Sequence, residues 1–226
     1  MEHKRLTLFA GHYGSGKTNI AVNYALQLAK EGKPVVIGDL DIVNPYFRTA
    51  DSKEQLERSG VQVIVPQYAN SNVDLPALPA ECYRLVEDTS AYAVADIGGD
   101  DRGAYALGRF IPFIKKENNY RMVFVANCYR PLTRTPEDAL EVMREIEAAC
   151  GLAFTDIVNN SNLAAETDGQ TVLDSVNYIQ RLSELSRLPV FCTTAKDDVA
   201  AELEGKIPNI FPLQLQEKYF DLPQMQ

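Results

Sequence analysis

No apolar run in the chain approaches the ~20 residues that a membrane-spanning helix needs. No two of the four cysteines (Cys82, Cys128, Cys150, Cys192) stand at Cys-x-x-Cys spacing, and there is no His-rich tract. Such sparse thiols suit a reducing compartment, where each packs as a small hydrophobe rather than holding a disulfide or a zinc ion. A basic surface is lacking too. Lys and Arg number 22 against 31 Asp and Glu, a net charge of -9, which argues against a broad nucleic-acid-binding face. Internal repeats, low-complexity tracts and Gly/Ser-rich linkers are missing, so residues 1–226 read as one domain. The first strand begins within a few residues of the N-terminus, so no signal peptide is expected and a cytoplasmic location is.

What is present is an alternation of short apolar runs with helical stripes. Runs at 6–10, 34–39, 61–65, 91–96, 122–127, 155–159 and 190–193 are close to continuously apolar, as strands buried on both faces are. Between them, Ile20, Ala21, Tyr24, Ala25 and Leu28 recur at helical spacing, ended by Gly32. Thr135-Pro136-Glu137-Asp138 opens a second helix whose face is Leu140, Met143, Ile146 and Cys150. A third is striped by Val172, Val176, Ile179 and Leu182. The pattern predicts an α/β fold: a doubly wound, mostly parallel sheet of about seven strands flanked by helices. Ligands of such sheets bind beyond the carboxyl ends of the strands.

Chemistry collects at those ends. Gly11-His12-Tyr13-Gly14-Ser15-Gly16-Lys17-Thr18 matches GxxxxGK[ST] in full, between an apolar strand and an amphipathic helix, the context a P-loop requires. The glycines let backbone N–H groups wrap a phosphate, and the helix N-terminus adds positive potential. Lys17 is placed to reach the β- and γ-phosphates, and the Thr18 hydroxyl to ligate Mg²⁺. Asp39 and Asp41 close the second strand on the same side of an extended chain. Beside a P-loop, one suits magnesium-bound water and the other the attacking water. Asp96 ends the fourth apolar run, where a hard oxygen ligand for Mg²⁺ is needed, and Gly99 completes Asp-x-x-Gly, a pattern that can sense a γ-phosphate.

Together these stations resemble the MinD/ParA/ArsA group of P-loop ATPases. The likeness covers most of the chain and is carried by GHYGSGKT at 11–18, DLDIVNPYFRTAD at 39–51 and DIGG at 96–99. The resemblance implies that Asp41 is the switch acid positioning the hydrolytic water, that Asp39 supports the magnesium shell and that Asp96 takes the Walker B role. It implies an adenine contact from Asn159 or Asn160 and from 194–199, with ATP and Mg²⁺ as the bound species. It also implies a nucleotide-dependent homodimer and a protein client that the sequence does not name. One position departs from the group: its signature lysine falls at His12. Either His12 partly replaces that cation, or cross-subunit catalysis by it is missing. Guanine recognition by Asn/Thr-Lys-x-Asp is missed at Ala195-Lys196-Asp197-Asp198, so ATP is expected over GTP. A MinD-like membrane helix is not expected at 207–226, which holds Pro208, Pro212 and Pro223 with one Lys. The competing reading is an ATP-dependent carboxylate ligase resembling dethiobiotin synthetase or cobyrinate amidation enzymes, with Tyr46, Phe47 and Arg48 placed to line a substrate pocket.

Overall fold

A computed structural model describes residues 2–40, 52–64, 80–98 and 107–215. Asp41, Tyr46, Phe47, Arg48 and Gly99 lie outside the described residues.

Eight strands form one sheet: β1 (Leu6–Ala10), β2 (Val35–Leu40), β3 (Val61–Ile64), β4 (Tyr92–Ile97), β5 (Tyr120–Ala126), β6 (Asp156–Asn159), β7 (Val190–Lys196) and β8 (Ile210–Leu213). Their order is β3-β2-β4-β1-β5-β6-β7-β8, and every pairing is parallel. The helices among the described residues are α1 (Lys17–Lys30), α2 (Lys53–Arg58), α3 (Arg84–Glu87), α4 (Ile111–Glu117), α5 (Pro136–Cys150), α6 (Gly169–Asp174), α7 (Val176–Ser186) and α8 (Asp197–Leu203).

Alternation along each strand sorts the core into two halves. Leu6, Leu8 and Ala10 of β1 join Ala93, Ala95 and Ile97 of β4 and Met122, Phe124 and Ala126 of β5 on one face, under α5 and α7. Phe9, Val94, Val123, Val125 and Val158 meet the α1 stripe on the other. All five stripe residues of α1 are buried, and full burial of each large member contributes about 1.5–3 kcal/mol. The same alternation decides which strand-end side chains face α1. Asp39 follows Ile37, Asp96 follows Val94, Asn127 follows Val125 and Asn160 follows Val158, so all four project to the α1 side. Asn159 projects to the other.

Two features depart from the pattern. The edge strand β8 was not among the expected runs, because Pro208, Asn209 and Pro212 read as turn punctuation. A proline is tolerated there because an edge strand leaves donors unpaired anyway. The stripe from Val172 to Leu182 is divided between α6 and α7 at Ser175. Its hydroxyl donates to the Val172 carbonyl (2.7 Å) and accepts from Asn159 Nδ2 (2.8 Å), competing with the helical ladder.

Candidate functional site

The loop from Gly11 to Gly16 leaves β1 at its carboxyl end and turns into α1. It starts pressed against the neighbouring strand: a Cβ on Gly11 would lie 2.6 Å from the Val125 carbonyl oxygen. Gly16, just before the helix, has φ +91°, and a Cβ there would meet Asn160 Nδ2 at 2.2 Å. Only glycine satisfies both the left-handed backbone and that contact. Asn160 is the reason the approach is close. Its Nδ2 donates to the Ser15 carbonyl (2.6 Å) and its Oδ1 accepts from the Thr194 hydroxyl (2.5 Å). One buried amide thus joins the loop to β6 and β7.

Lys17 and Thr18 open the helix and are buried. Lys17 Nζ lies 3.4 Å from the His12 carbonyl, a long contact that leaves the ammonium available. The Thr18 hydroxyl donates to Asp96 Oδ2 at 2.6 Å, so the P-loop threonine and the acid ending β4 are already paired. Asp39 is the register partner of Asp96 on the adjacent strand, and both are buried. Two carboxylates and a hydroxyl gathered at neighbouring strand ends are a hard-oxygen donor set of the kind Mg²⁺ prefers. Ser15 Oγ is buried with no hydrogen-bond partner among the described residues. A buried hydroxyl left unpaired costs free energy that an anionic ligand in the loop would recover. The residues therefore fit a magnesium-bound phosphate.

Beyond the loop lies a cavity of about 360 Å³. Gly14, Gly16, Lys17, Thr18 and Asn19 form its phosphate end, and Asn160, Thr194, Ala195 and Lys196 join them from β6 and β7. The two expected base-reading asparagines separate here. Asn160 stands in the wall. Asn159 is fully buried on the opposite side of the sheet, donating to Ser175 and accepting from the Ser161 N–H (3.2 Å), and does not line the cavity. The alternation of β6 permits one of two consecutive residues to face α1, and that one is Asn160. His12 and Tyr13 do not line the cavity either: the His12 ring sits 2.9 Å from the Tyr13 carbonyl, and Tyr13 is exposed. Arg130, Asn162, Ala164, Thr167, Leu213 and Leu215 complete the wall and are not marked by the sequence motifs. Arg130 could have been found by the rule that located Asp96, since it lies a few residues past the end of a strand.

Neither a described protein family nor a characterised protein matches this sequence. Solved structures do. Cell division protein FtsY from Thermotoga maritima is 16% identical, with 87% of this chain and 63% of that chain covered and a TM-score of 0.56. Signal recognition particle receptor FtsY from Elizabethkingia anophelis is 19% identical over 85% and 59%, with a TM-score of 0.52. The signal recognition particle 54 kDa protein from Aeropyrum pernix K1, solved in complex with GDP, is 17% identical over 83% and 40%, with a TM-score of 0.53. The chain thus spans less than two thirds of the length of each. At these identities the likeness establishes architecture: this is a chain of the P-loop NTPase α/β fold. The matched structures lend no support to the narrower MinD/ParA resemblance, and no family within the fold is established by them.

Proposed function

We propose that this chain binds Mg-ATP in the cradle of Gly11–Thr18 and hydrolyses it, switching its surface between two states for a protein client. The observation that carries this reading is the 2.6 Å bond from the Thr18 hydroxyl to Asp96. It joins the last residue of the phosphate loop to the strand-end acid, beside Asp39, and so assembles the donor set for a nucleotide-bound metal. Thr18, Asp39 and Asp96 would hold Mg²⁺, which supplies charge neutralisation for the phosphates when bound. Lys17 binds the β- and γ-phosphates. Asp41 orients the attacking water. Asn160 keeps the loop in shape and presents the base side of the cavity.

ATP is preferred over GTP on the sequence, where Ala195-Lys196-Asp197-Asp198 lacks the Asn or Thr that opens a guanine-reading Asn/Thr-Lys-x-Asp. The GDP in the Aeropyrum pernix protein belongs to a chain 17% identical to this one and does not decide the base here. A switch with a partner, including a nucleotide-dependent second copy, is supported by exposed apolar residues. Tyr13, Leu132, Leu163 and Leu215 all lie on segments that follow β1, β5, β6 and β8, at the nucleotide end of the sheet.

The test is turnover with product analysis. Purified protein with Mg-ATP should release ADP and phosphate without an added acceptor, and Lys17→Ala should not. Turnover that appears only with an added carboxylic acid, with an acyl product formed, would replace the switch with the ligase.

A further inference from the structure

Arg130 follows β5 and precedes the short 3-10 turn Pro131–Thr133. Its backbone is pinned from several directions. The Arg130 N–H donates to the Asn127 carbonyl (3.1 Å), and the Thr133 hydroxyl donates to the same oxygen (2.7 Å). The preceding Tyr129 bonds Asn127 Oδ1 through its N–H (3.0 Å) and the Thr171 carbonyl through its hydroxyl (2.8 Å). The side chain is pinned as well: Nε donates to the Gly14 carbonyl at 2.9 Å. That bond fixes where the guanidinium lies. The Ser15 N–H points into the loop, to the His12 carbonyl (3.1 Å), and a trans peptide sends the Gly14 carbonyl the opposite way. Arg130 therefore sits beside the phosphate cradle rather than in it, and lines the cavity where the nucleoside would lie.

Two further observations concern what is not there. Arg130 has no carboxylate partner among the described residues, in a chain with 31 acids against 22 bases. Among the described residues no aromatic side chain lines the cavity. Of its three asparagine amides, Asn160 is committed to Ser15 and Thr194 and Asn162 to the Asn160 carbonyl and the Ala164 N–H, while Asn19, at the phosphate end, has a buried Oδ1 with no partner among the described residues. Among the described residues the guanidinium is the largest planar group in the wall, with the extent to cover a purine face. Guanidinium planes stack on aromatic rings, and the attraction strengthens when the pair is shielded from water.

We infer that Arg130 is the stacking platform for the purine base, held flat by its bond to the Gly14 carbonyl. This rests on the nucleotide reading of the site, and the probes below separate the two. Affinities for Mg-ATP and for Mg-tripolyphosphate, which has no base, are measured by titration calorimetry for wild type, Arg130→Ala and Arg130→Lys. Arg130→Ala should weaken ATP by about 3- to 30-fold, the range of a cation–π stack, and leave tripolyphosphate within about twofold. Arg130→Lys keeps the charge and can keep the bond to Gly14 but lacks the plane, so it should not restore ATP affinity. The inference is overturned if Arg130→Ala leaves ATP binding unchanged. It is equally overturned if Arg130→Lys restores ATP fully, because charge or loop positioning then suffices. Should Arg130→Ala weaken both probes, the lysine variant decides: restored tripolyphosphate with ATP still weak supports the stack, and equal behaviour of the two probes refutes it. Wild type that binds neither probe would refute the nucleotide site itself.

Discussion

Replacing Asn160 by alanine should cost far more than a single surface amide would. The side chain is buried and makes two bonds, to the Ser15 carbonyl at 2.6 Å and from the Thr194 hydroxyl at 2.5 Å. Truncation strands the Ser15 carbonyl and leaves the Thr194 hydroxyl only its long 3.3 Å bond to the Asn159 carbonyl. A buried polar group left without its bond costs about 1–3 kcal/mol, so the loss is about 2–4 kcal/mol, allowing for one partner recovering a water. For a domain of this size, that lowers Tm by roughly 4–16 °C. Thr194→Val removes one of the same bonds and strands Asn160 Oδ1. The two substitutions therefore share a cost, and the double variant should be less destabilised than their sum by about 1 kcal/mol or more. Urea denaturation of wild type, both single variants and the double variant measures the cycle. An Asn160→Ala loss below about 1 kcal/mol, or strict additivity with Thr194→Val, would refute the view that this amide ties the loop to β6 and β7.

Asp41→Asn should still bind Mg-ATP but release phosphate at least tenfold more slowly, the amide lacking the charge that orients water; stopped-time phosphate assays check this. Asp96→Asn should instead raise the magnesium concentration needed for half-maximal binding, read from a metal titration at fixed ATP. His3 gives a pH prediction. Burial between Tyr24 (3.0 Å) and Glu31 (3.1 Å) holds its pKa below the ordinary 6.5, overcoming the opposing pull of Glu31. The unfolded chain then binds more protons than the folded one, so stability falls as pH drops through about 6.5. His3→Gln should lose less stability than wild type between pH 7.5 and 5.5 in paired thermal melts.

Much of the molecule was legible because its signals are local. The P-loop glycines, the α1 stripe and the apolar strands each carry their own pattern, and seven of the strands follow from it. The edge strand did not, since its proline-rich neighbourhood looks like turn and its partnership with β7 is a tertiary fact. The Asn pair shows the same limit at the site. Which of Asn159 and Asn160 faces α1 depends on the register of β6 against β5 and β7, and a strand of four residues does not declare its register in sequence. The place of Arg130 just past a strand is readable, but its contact is not, for a related reason. Nothing in Tyr129-Arg130-Pro131 says that the side chain will meet Gly14, 116 residues earlier in the chain.

The central claim is that the Gly11–Thr18 loop is a working ATP cradle, and titration calorimetry with Mg-ATP, Mg-GTP and the Lys17→Ala variant tests it most directly. Wild type should bind ATP, bind GTP at least tenfold more weakly, and lose most ATP affinity in Lys17→Ala while circular dichroism stays unchanged. Equal ATP affinity in Lys17→Ala and wild type, or no nucleotide binding by wild type at all, would contradict the account.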